Sequence, residues 1–152
     1  GTMFNGIFYG FVVDPEGQIG SRETQQLNEL YRQLSKITEY YIPKPLSYFV
    51  RAARSSYLLL ASSGQRVVGT GTLNLNSHGT GPTGRIDDVV THTDFQRRGI
   101  AREVMAHLIR KATLLGMSQI RLDSDPSRFA ANALYADIGF RHYDGNSYKL
   151  FI

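Results

Sequence analysis

Three strand-like segments separated by short polar connections, followed by one long amphipathic helix, constrain the fold of this chain more than any other feature. Tyr57–Ala61, Val67–Leu75 and Arg85–Thr91 are rich in β-branched and other apolar residues. A four-residue turn separates the first two segments, and a polar, glycine-rich loop over residues 76–84 separates the last two. Connections of this kind join antiparallel neighbours. The three segments therefore predict an antiparallel meander.

The pattern then changes to the period of a helix. Apolar residues recur at steps of three and four along Gly99–Leu115, and Gly116 supplies a stop. A short strand is predicted after it, at Gln119–Asp123. A strand, a crossover helix and a second strand place the two strands parallel to each other. A meander that continues into such a crossover predicts a mixed α/β (α+β) sheet with helices packed on it.

The rest of the chain adds elements on both sides of this centre. Before the meander we expect a strand and two helices, and after the crossover a helix and a strand. These elements are the strand Ile7–Val13, a helix with Ser21 as N-cap whose apolar period continues through Ile37 to Tyr41, a short helix from Leu46 to Ala53, a helix over Arg128–Ile138, and a terminal strand Tyr148–Ile152.

Composition excludes several classes of protein. The 152 residues suffice for one domain; Gly1–Met3 resemble a cloning scar ahead of the natural start, so we expect a single domain over residues 4–152. The chain has no cysteine, which excludes a disulfide scaffold, a thiolate metal site and a cysteine nucleophile. Its four histidines include no pair at metal-ligand spacing, so no metal is expected.

Charge and hydropathy limit the partners. Seventeen Lys and Arg against thirteen Asp and Glu give a net charge of +4, spread evenly along the chain. The even spread argues against a dedicated nucleic-acid surface. No apolar run approaches the roughly 20 residues that a membrane helix requires. We therefore expect a soluble, cytoplasmic monomer or homodimer with no nucleic-acid or membrane partner.

One motif has the letters of a nucleotide site without its context. Residues 79–84 match the dinucleotide-binding pattern G-x-G-x-x-G. That pattern works between a strand and a helix N-terminus, whereas these residues precede a predicted strand and include Pro82. We interpret the segment as a flexible hairpin loop.

The connection between the third meander strand and the long helix has the features of an anion site. A helix N-terminus presents unpaired N–H groups and a partial positive charge, and it binds phosphate best where small residues let the backbone approach. Gly99 and Ala101 are small, and Arg97, Arg98 and Arg102 add positive charge. These residues predict a phosphate or pyrophosphate cradle, with a basic, solvated helix start as the alternative.

The same residues resemble a known signature. Gln96–Ala101 is similar to the Q/R-x-x-G-x-G/A motif of the GNAT superfamily of acetyl-CoA-dependent N-acetyltransferases. Asp88–Thr91 resembles the fourth strand of that fold, and Tyr135–Phe140 resembles its closing Tyr-x-x-x-Gly-Phe. The predicted element order matches the family from Ile7 onwards. The resemblance implies a mostly antiparallel sheet of about six to seven strands, flanked by about four helices, with a V-shaped cofactor slot.

The resemblance also implies acetyl-CoA as cosubstrate and the residues that bind it. Backbone N–H groups of the Gln96–Ala101 segment would hold the pyrophosphate, and the strand before it would line the pantetheine arm. A splay or bulge in that strand would open the slot, and a backbone N–H there would polarise the thioester carbonyl. The implied cofactor-binding residues are Val89, Val90, Thr91, Gln96, Arg97, Arg98, Gly99, Ile100, Ala101, Arg102 and Asn132.

One position departs from the family pattern. Many members have an asparagine that touches CoA seven residues before the closing tyrosine, but this chain has Arg128 there. Asn132, one helical turn before Tyr135, is the candidate substitute.

The catalytic candidates are a tyrosine and a carboxylate. Tyr135 falls where the family keeps a tyrosine close to the CoA sulfur, which implies that it protonates the leaving thiolate. A primary amine arrives protonated and must lose a proton before it attacks. Asp87 and Asp88 are candidate bases, and we favour Asp88 because it belongs to the matched strand segment. His92 is a further candidate.

These observations predict an N-acetyltransferase that moves the acetyl group of acetyl-CoA to a primary amine of a small molecule, by direct transfer in a ternary complex. The segment Tyr40–Phe49 carries aromatic residues that can form a wall on the acceptor side. Two alternatives stay open: a protein or peptide acceptor, and a non-catalytic module that binds acyl-CoA as a sensor.

Overall fold

A six-stranded sheet organises the first 122 residues in the computed structural model, which describes residues 1–35 and 40–152. Its strands neighbour one another in chain order, and every neighbouring pair is antiparallel except the last, which is parallel. The predicted mixed, mostly antiparallel sheet is therefore confirmed. The strands are β1 (Thr2–Phe4), β2 (Ile7–Phe11), β3 (Tyr57–Ser63), β4 (Arg66–Asn76), β5 (Thr83–Thr91) and β6 (Ile120–Arg121).

The described residues contain five α-helices. The chain divides into two compact units, Gly1–Leu122 and Asp123–Ile152, with four of these helices in the first unit and one in the second. No helix in the described part of the chain is long and apolar enough to cross a membrane. The helices are α1 (Pro15–Gln18), α2 (Ser21–Leu34), α3 (Leu46–Ser55), α4 (Ile100–Leu114) and α5 (Phe129–Ile138).

Helices α2 and α4 cover opposite faces of the sheet. Val90 of β5 belongs to the apolar core that includes Leu27 and Leu30 of α2. Its neighbour Val89 lies on the α4 side, where a β-carbon placed on Gly71 would meet side chains of Val89 and α4 alike. Adjacent residues of a strand point to opposite faces, so β5 contributes a side chain to each layer.

Two glycines of β4 let α4 pack closely against the sheet. A β-carbon at Gly69 would lie 2.9 Å from Cγ2 of Ile100, the first residue of α4. One at Gly71 would lie 3.0 Å from side-chain carbons of both Val104 and Leu108. Carbon atoms do not approach this closely without displacement. The glycines therefore determine how closely α4 approaches the sheet, and with it the position of the first turn of α4.

The N-terminal residues contain structure that the sequence patterns did not indicate. Thr2 and Met3, expected to lie outside the domain, form β1 and pair with Tyr9 and Phe8 of β2. Pro15–Gln18, which follow the predicted strand Ile7–Val13, form the short helix α1, where Asp14 Oδ1 accepts the Gly17 N–H at 3.3 Å. This is an ordinary side-chain cap.

Helix α2 differs from its prediction at both ends. Gly20, rather than Ser21, is the N-cap, and its N–H donates to Glu23 Oε1 at 2.9 Å. The helix ends at Leu34, because the following residue is extended, so Tyr41 lies beyond it. Ile37, part of the predicted period, falls outside the described residues. Tyr41 instead contacts α2 from the following connection, so its side chain is partly buried although it is not part of the helix.

The predicted terminal strand Tyr148–Ile152 is wrong: residues 141–152 form no helix or strand, and Tyr148 and Phe151 are exposed. Aromatic and apolar residues favour strands where a neighbouring strand buries one face, and this segment has no such pairing. β6 is likewise shorter than predicted. The predicted helix before this segment is confirmed as α5, and it ends at Gly139 as expected.

Candidate functional site

Strand β5 carries a bulge at Asp88 and Val89. Thr70 pairs with Val90 and Thr72 pairs with Asp87, so the single residue between them on β4 faces two residues of β5. Asp88 has a φ of 56°, in the left-handed region that side chains other than glycine rarely adopt. A bulge of this kind redirects a strand and interrupts its pairing. It lies in the strand where the resemblance implied one.

The far edge of β5 is largely unpaired. β6 pairs only with Gly84 and Arg85, so among the described residues no strand covers residues 86–91 on that side. The His92 N–H donates to Val68 O on β4 at 2.8 Å. Because alternate residues of an antiparallel strand turn their backbone groups to opposite edges, Val89 and Thr91 turn theirs away from β4. We call residues 86–91 on this side the open edge.

Thr91 combines a satisfied carbonyl with an unsatisfied hydroxyl. Its carbonyl oxygen accepts from Gln33 Nε2 at 2.9 Å. Its Oγ1 is buried and has no hydrogen-bond partner among the described residues. A buried hydroxyl without a partner is energetically unfavourable.

The first turn of α4 is free of side-chain caps. Gly99 is the N-cap with a φ of 78°, and no side chain of the described residues caps the N–H groups of this turn. A β-carbon at Gly99 would have no atom within 4 Å, so open space lies beside the backbone. Arg97 also has a left-handed φ, of 64°. An uncapped helix start next to open space is the geometry that binds phosphate groups.

A cluster of guanidinium groups and rings borders this turn. The Arg98 Cζ atom lies 4.8 Å from the centre of the Phe95 ring, and the Arg66 Cζ atom lies 5.6 Å from it. Arg66 Nη2 also lies 3.0 Å from His92 Nε2. The sequence motif included Arg98 but not Arg66, which stands thirty residues earlier at the start of β4. Only the register of β4 against β5, which runs from Gly69 opposite Thr91, brings Arg66 here.

The imidazole of His92 interacts with groups of its own loop and of β4. Its Nδ1 accepts the Asp94 N–H at 3.1 Å, which caps the short 3-10 turn Thr93–Phe95, and its Nε2 faces Arg66. Both ring nitrogens therefore contact protein groups. This arrangement favours a structural role for His92 over that of a base.

The two neighbouring carboxylates of β5 have different surroundings. Asp87 accepts from Asn74 Nδ2 at 2.9 Å through one oxygen and from Arg85 Nε at 3.0 Å through the other. The Asp88 side chain makes no hydrogen bond with the described residues, although it reaches solvent. The surrounding protein reduces its hydration and raises its pKa; the charge of Asp87 raises the pKa further, and Arg85 lowers it.

Tyrosines from α2 and the following connection lie near Asp88. Burial raises the pKa of Tyr31, and the next largest cause is the negative charge of Asp88. Burial also raises the pKa of Tyr41; Asp88 contributes to that increase, and Arg32 opposes it. Asn28 holds the connection, because its Oδ1 accepts from the Tyr41 hydroxyl at 2.6 Å and from the Lys44 N–H at 2.7 Å.

The predicted aromatic wall is only partly formed. Phe49 belongs entirely to the core, whereas Tyr40 and Ile42 are exposed. Tyr31 lies on the buried face of α2, and the charge of Asp88 is the second largest cause of its raised pKa. Its period along α2 showed that it would be buried, but not that a carboxylate from β5 would lie nearby.

Tyr135 and Asn132 belong to the second unit. Tyr135 is 8% exposed, and its ring packs edge-on against Phe140 at 6.1 Å between centres. Burial raises the pKa of Tyr135, and Arg128 opposes this effect. The Asn132 Nδ2 donates to Asp125 O at 3.0 Å, so this amide stabilises the turn before α5.

Comparisons with known proteins point in one direction. Residues 24–140 match the model of the acetyltransferase (GNAT) family. An aminoglycoside acetyltransferase from an uncultured soil metagenomic sample has a similar structure, with a TM-score of 0.77 and 17% identity over 97% of both chains. No curated protein sequence matches the chain significantly.

Two further solved structures share the fold. The glucosamine-6-phosphate N-acetyltransferase of Arabidopsis thaliana has a TM-score of 0.70 and 16% identity, over 96% of this chain and 99% of that one. The ribosomal-protein-alanine N-acetyltransferase of Brucella melitensis biovar Abortus also has a TM-score of 0.70, with 20% identity and the same coverage. At these identities the likeness concerns the fold.

Proposed function

This chain belongs to the GNAT acetyltransferase family and is an acyltransferase, and from that premise we propose that it moves the acetyl group of acetyl-CoA to a primary amine of a small molecule. Transfer would be direct, within a ternary complex of protein, acetyl-CoA and amine. Members of the family use acetyl-CoA and act on amine acceptors. The acceptor and the roles of individual residues are the proposed part.

One observation carries the proposal: two features of a transfer site lie on consecutive elements. β5 has a bulge and an open edge at residues 88–91, and α4, the next helix, begins without a side-chain cap at Gly99. The first feature suits an extended amide-containing arm that adds alongside a strand. The second suits the pyrophosphate to which such an arm is attached in CoA.

Two local details support the fit of acetyl-CoA to these residues. Among the described residues no strand pairs with residues 86–91 on the side away from β4, which leaves the edge that the arm would follow accessible. Gly99 has open space where any larger residue would place a side chain. When bound, acetyl-CoA would supply an acyl group activated as a thioester.

The remaining roles are assigned to groups of the chain itself. The Val89 N–H, turned to the open edge, would polarise the thioester carbonyl as a preorganised donor. Asp88 would accept the proton of the incoming ammonium, since its raised pKa brings it closer to the range where a base is effective. Tyr135, whose raised pKa keeps its hydroxyl protonated, would donate a proton to the leaving thiolate.

The surroundings of Asp88 support a small acceptor. Tyr31 and Tyr41 both respond to its charge, and Asn28 ties the connection that carries Tyr41 to α2. Aromatic rings and one carboxylate recognise an ammonium group well. A peptide acceptor would need an extended cleft along the same side.

The proposal is tested by release of free CoA thiol from acetyl-CoA, followed with a thiol-reactive chromogen. The chain has no cysteine and adds no background. The amine panel should include aminoglycosides, glucosamine 6-phosphate and a peptide with an N-terminal alanine, the compounds named for the structural relatives. Mass spectrometry of the acetylated product confirms transfer rather than hydrolysis.

Each outcome of this assay decides between the alternatives. Acetylation of small amines supports the proposal, and acetylation of the peptide alone replaces it with a protein acceptor. Tight CoA binding without transfer to any amine would instead identify a sensor. Failure to bind CoA would refute the assignment of the open edge and the α4 turn.

A further inference from the structure

A cavity lies at the end of β5 opposite to the α4 turn. Its volume is about 310 Å³, and all of its lining belongs to the first unit. None of the described residues that line it is acidic or apolar. Its principal side chains, all able to donate hydrogen bonds, are Asn76, His78, Thr83, Arg85, Gln119 and Arg121.

The two arginines of this cavity are direct neighbours across the sheet. Arg85 of β5 and Arg121 of β6 are paired in register, so their side chains leave the same face. Like charges placed directly opposite each other destabilise a sheet. Asp87 offsets part of this repulsion through Arg85 Nε. Guanidinium groups match phosphate and carboxylate oxygens through paired donors.

The cavity lies on the face of β5 that carries Asp87, and the charges of Asp87 and Asp88 both raise the pKa of Tyr31 on α2. Arg85 and Asp87 are two residues apart on β5, and the bond between their side chains shows that they share a face. Asn74, the register partner of Arg85, reaches Asp87 from that face as well. Arg85 precedes Asp88 by three residues, which is about 10 Å along a strand.

We infer that the acceptor is a primary amine that also carries an anionic group, a phosphate or a carboxylate, which this cavity binds through Arg85 and Arg121. The inference rests on the proposed function, because Asp88 is taken as the position of the amine. It adds a substrate class: primary amines that carry an anionic group several bonds away from the nitrogen.

The test compares matched amines with and without an anionic group. The probes are glucosamine 6-phosphate against glucosamine, and 6-aminohexanoate against hexylamine, each titrated in the CoA-release assay. In wild type, kcat/KM should be at least about 10-fold higher for the anionic member of a pair, the effect of one charged hydrogen-bonded contact. Equal values for both members of each pair would overturn the inference.

Variants at Arg121 locate the effect. Arg121→Gln should raise the KM for the anionic amine about 10- to 100-fold and leave its kcat and the KM of the neutral partner unchanged. Arg121→Lys, which keeps the charge but not the fork, should recover part of the loss. Arg110→Gln removes the same charge from an exposed position of α4 and should change neither KM. If Arg121→Gln affects both members of a pair equally, the cavity does not recognise the anion.

A binding measurement separates this inference from the proposed function. Inorganic phosphate is titrated into the CoA-saturated protein and followed by calorimetry, with Arg121→Gln in parallel. Phosphate binding that Arg121→Gln weakens supports the cavity assignment even if no amine is acetylated, an outcome that refutes the transfer proposal alone. Efficient acetylation of neutral amines, with phosphate binding that is the same in both proteins, refutes the inference and leaves the transfer proposal intact.

Discussion

Asp87 and Asp88 are adjacent in β5, yet only Asp87 has both carboxylate oxygens bonded to protein groups, Asn74 and Arg85. Asp88 occupies the bulge with a left-handed backbone and a raised pKa. The two aspartates therefore have different surroundings. Asp87 stabilises the strand, and Asp88 lies where the proposed acceptor would bind. This contrast makes each the control for the other.

Substitution of these two aspartates should separate activity from stability. Asp88→Asn removes the proposed base and should lower kcat/KM about 10²- to 10⁴-fold, the usual contribution of general base catalysis. Asp87→Asn should leave most of the activity but lower the melting temperature by a few degrees, because it weakens the bond to Arg85. Steady-state kinetics and thermal unfolding measure both. Equal losses of activity in the two variants would refute the role of Asp88.

The raised pKa of Asp88 also predicts how stability depends on pH. The folded state holds this proton more tightly than the unfolded state, so the contribution of Asp88 to stability decreases as pH rises through the window between its unfolded and its folded pKa. Asp88→Asn should therefore raise the melting temperature at neutral pH and lose that advantage below the ordinary pKa of an aspartate. Asparagine also tolerates the left-handed backbone well. A variant less stable than wild type at neutral pH would contradict this reasoning.

Gly99 should be required for cofactor binding, and a matched glycine provides the control. Gly99→Val places a side chain in the open space beside the first turn of α4 and should weaken CoA binding by more than about 100-fold, since several phosphate contacts are lost together. Gly116, at the other end of the same helix, has a φ of 75° and equally open surroundings.

Calorimetry with CoA gives the answer for this pair. Gly116→Val should bear the same backbone strain, about 1–2 kcal/mol, and bind CoA like wild type. Arg97→Ala should weaken binding only modestly, because the backbone supplies most contacts. Normal CoA affinity in Gly99→Val would show that the pyrophosphate is held elsewhere.

Tyr135→Phe should impair turnover rather than binding. The substitution keeps the buried ring against Phe140 and removes only the hydroxyl. We expect kcat to fall about 10²- to 10⁴-fold, as for the loss of a general acid. The Kd for acetyl-CoA should stay within a few-fold, because little ground-state binding is removed. Tyr148→Phe, at an exposed position of the same unit, is the control. An unchanged kcat, measured where chemistry limits the rate, would leave Tyr135 as a packing residue.

The parts of the site that could be predicted from the sequence are local ones. Gln96–Ala101 and the strand before it are contiguous, so their spacing alone predicts a strand, a turn and a helix start. Arg66 and Tyr31 could not be assigned in this way, because the register of the sheet and the packing of α2 bring them to β5. Asp87 and Asp88 were indistinguishable in sequence, since the bulge and the bonds from Asn74 and Arg85 are what separate them.

The errors in the fold have the same origin. Tyr41 has the spacing of a helix residue but reaches α2 from a later segment, where its hydroxyl donates to Asn28. Tyr148–Ile152 has the composition of a strand, but a strand also requires a neighbour. Patterns of apolar residues indicate which side chains are suited to burial. The neighbouring elements that bury them are supplied by the tertiary structure.

The absence of side chains at Gly69 and Gly71 links the middle of β4 to the first turn of α4, the proposed pyrophosphate site. Cγ2 of Ile100, the first residue of α4, lies 2.9 Å from the position that a β-carbon of Gly69 would take. The distance of that first turn from the sheet is therefore determined by Gly69 and Gly71, which lie outside the proposed binding residues. Substitutions at these glycines would displace α4 and thereby alter cofactor affinity. Functional divergence among related chains can therefore arise in the sheet, outside the signature motif that identifies them.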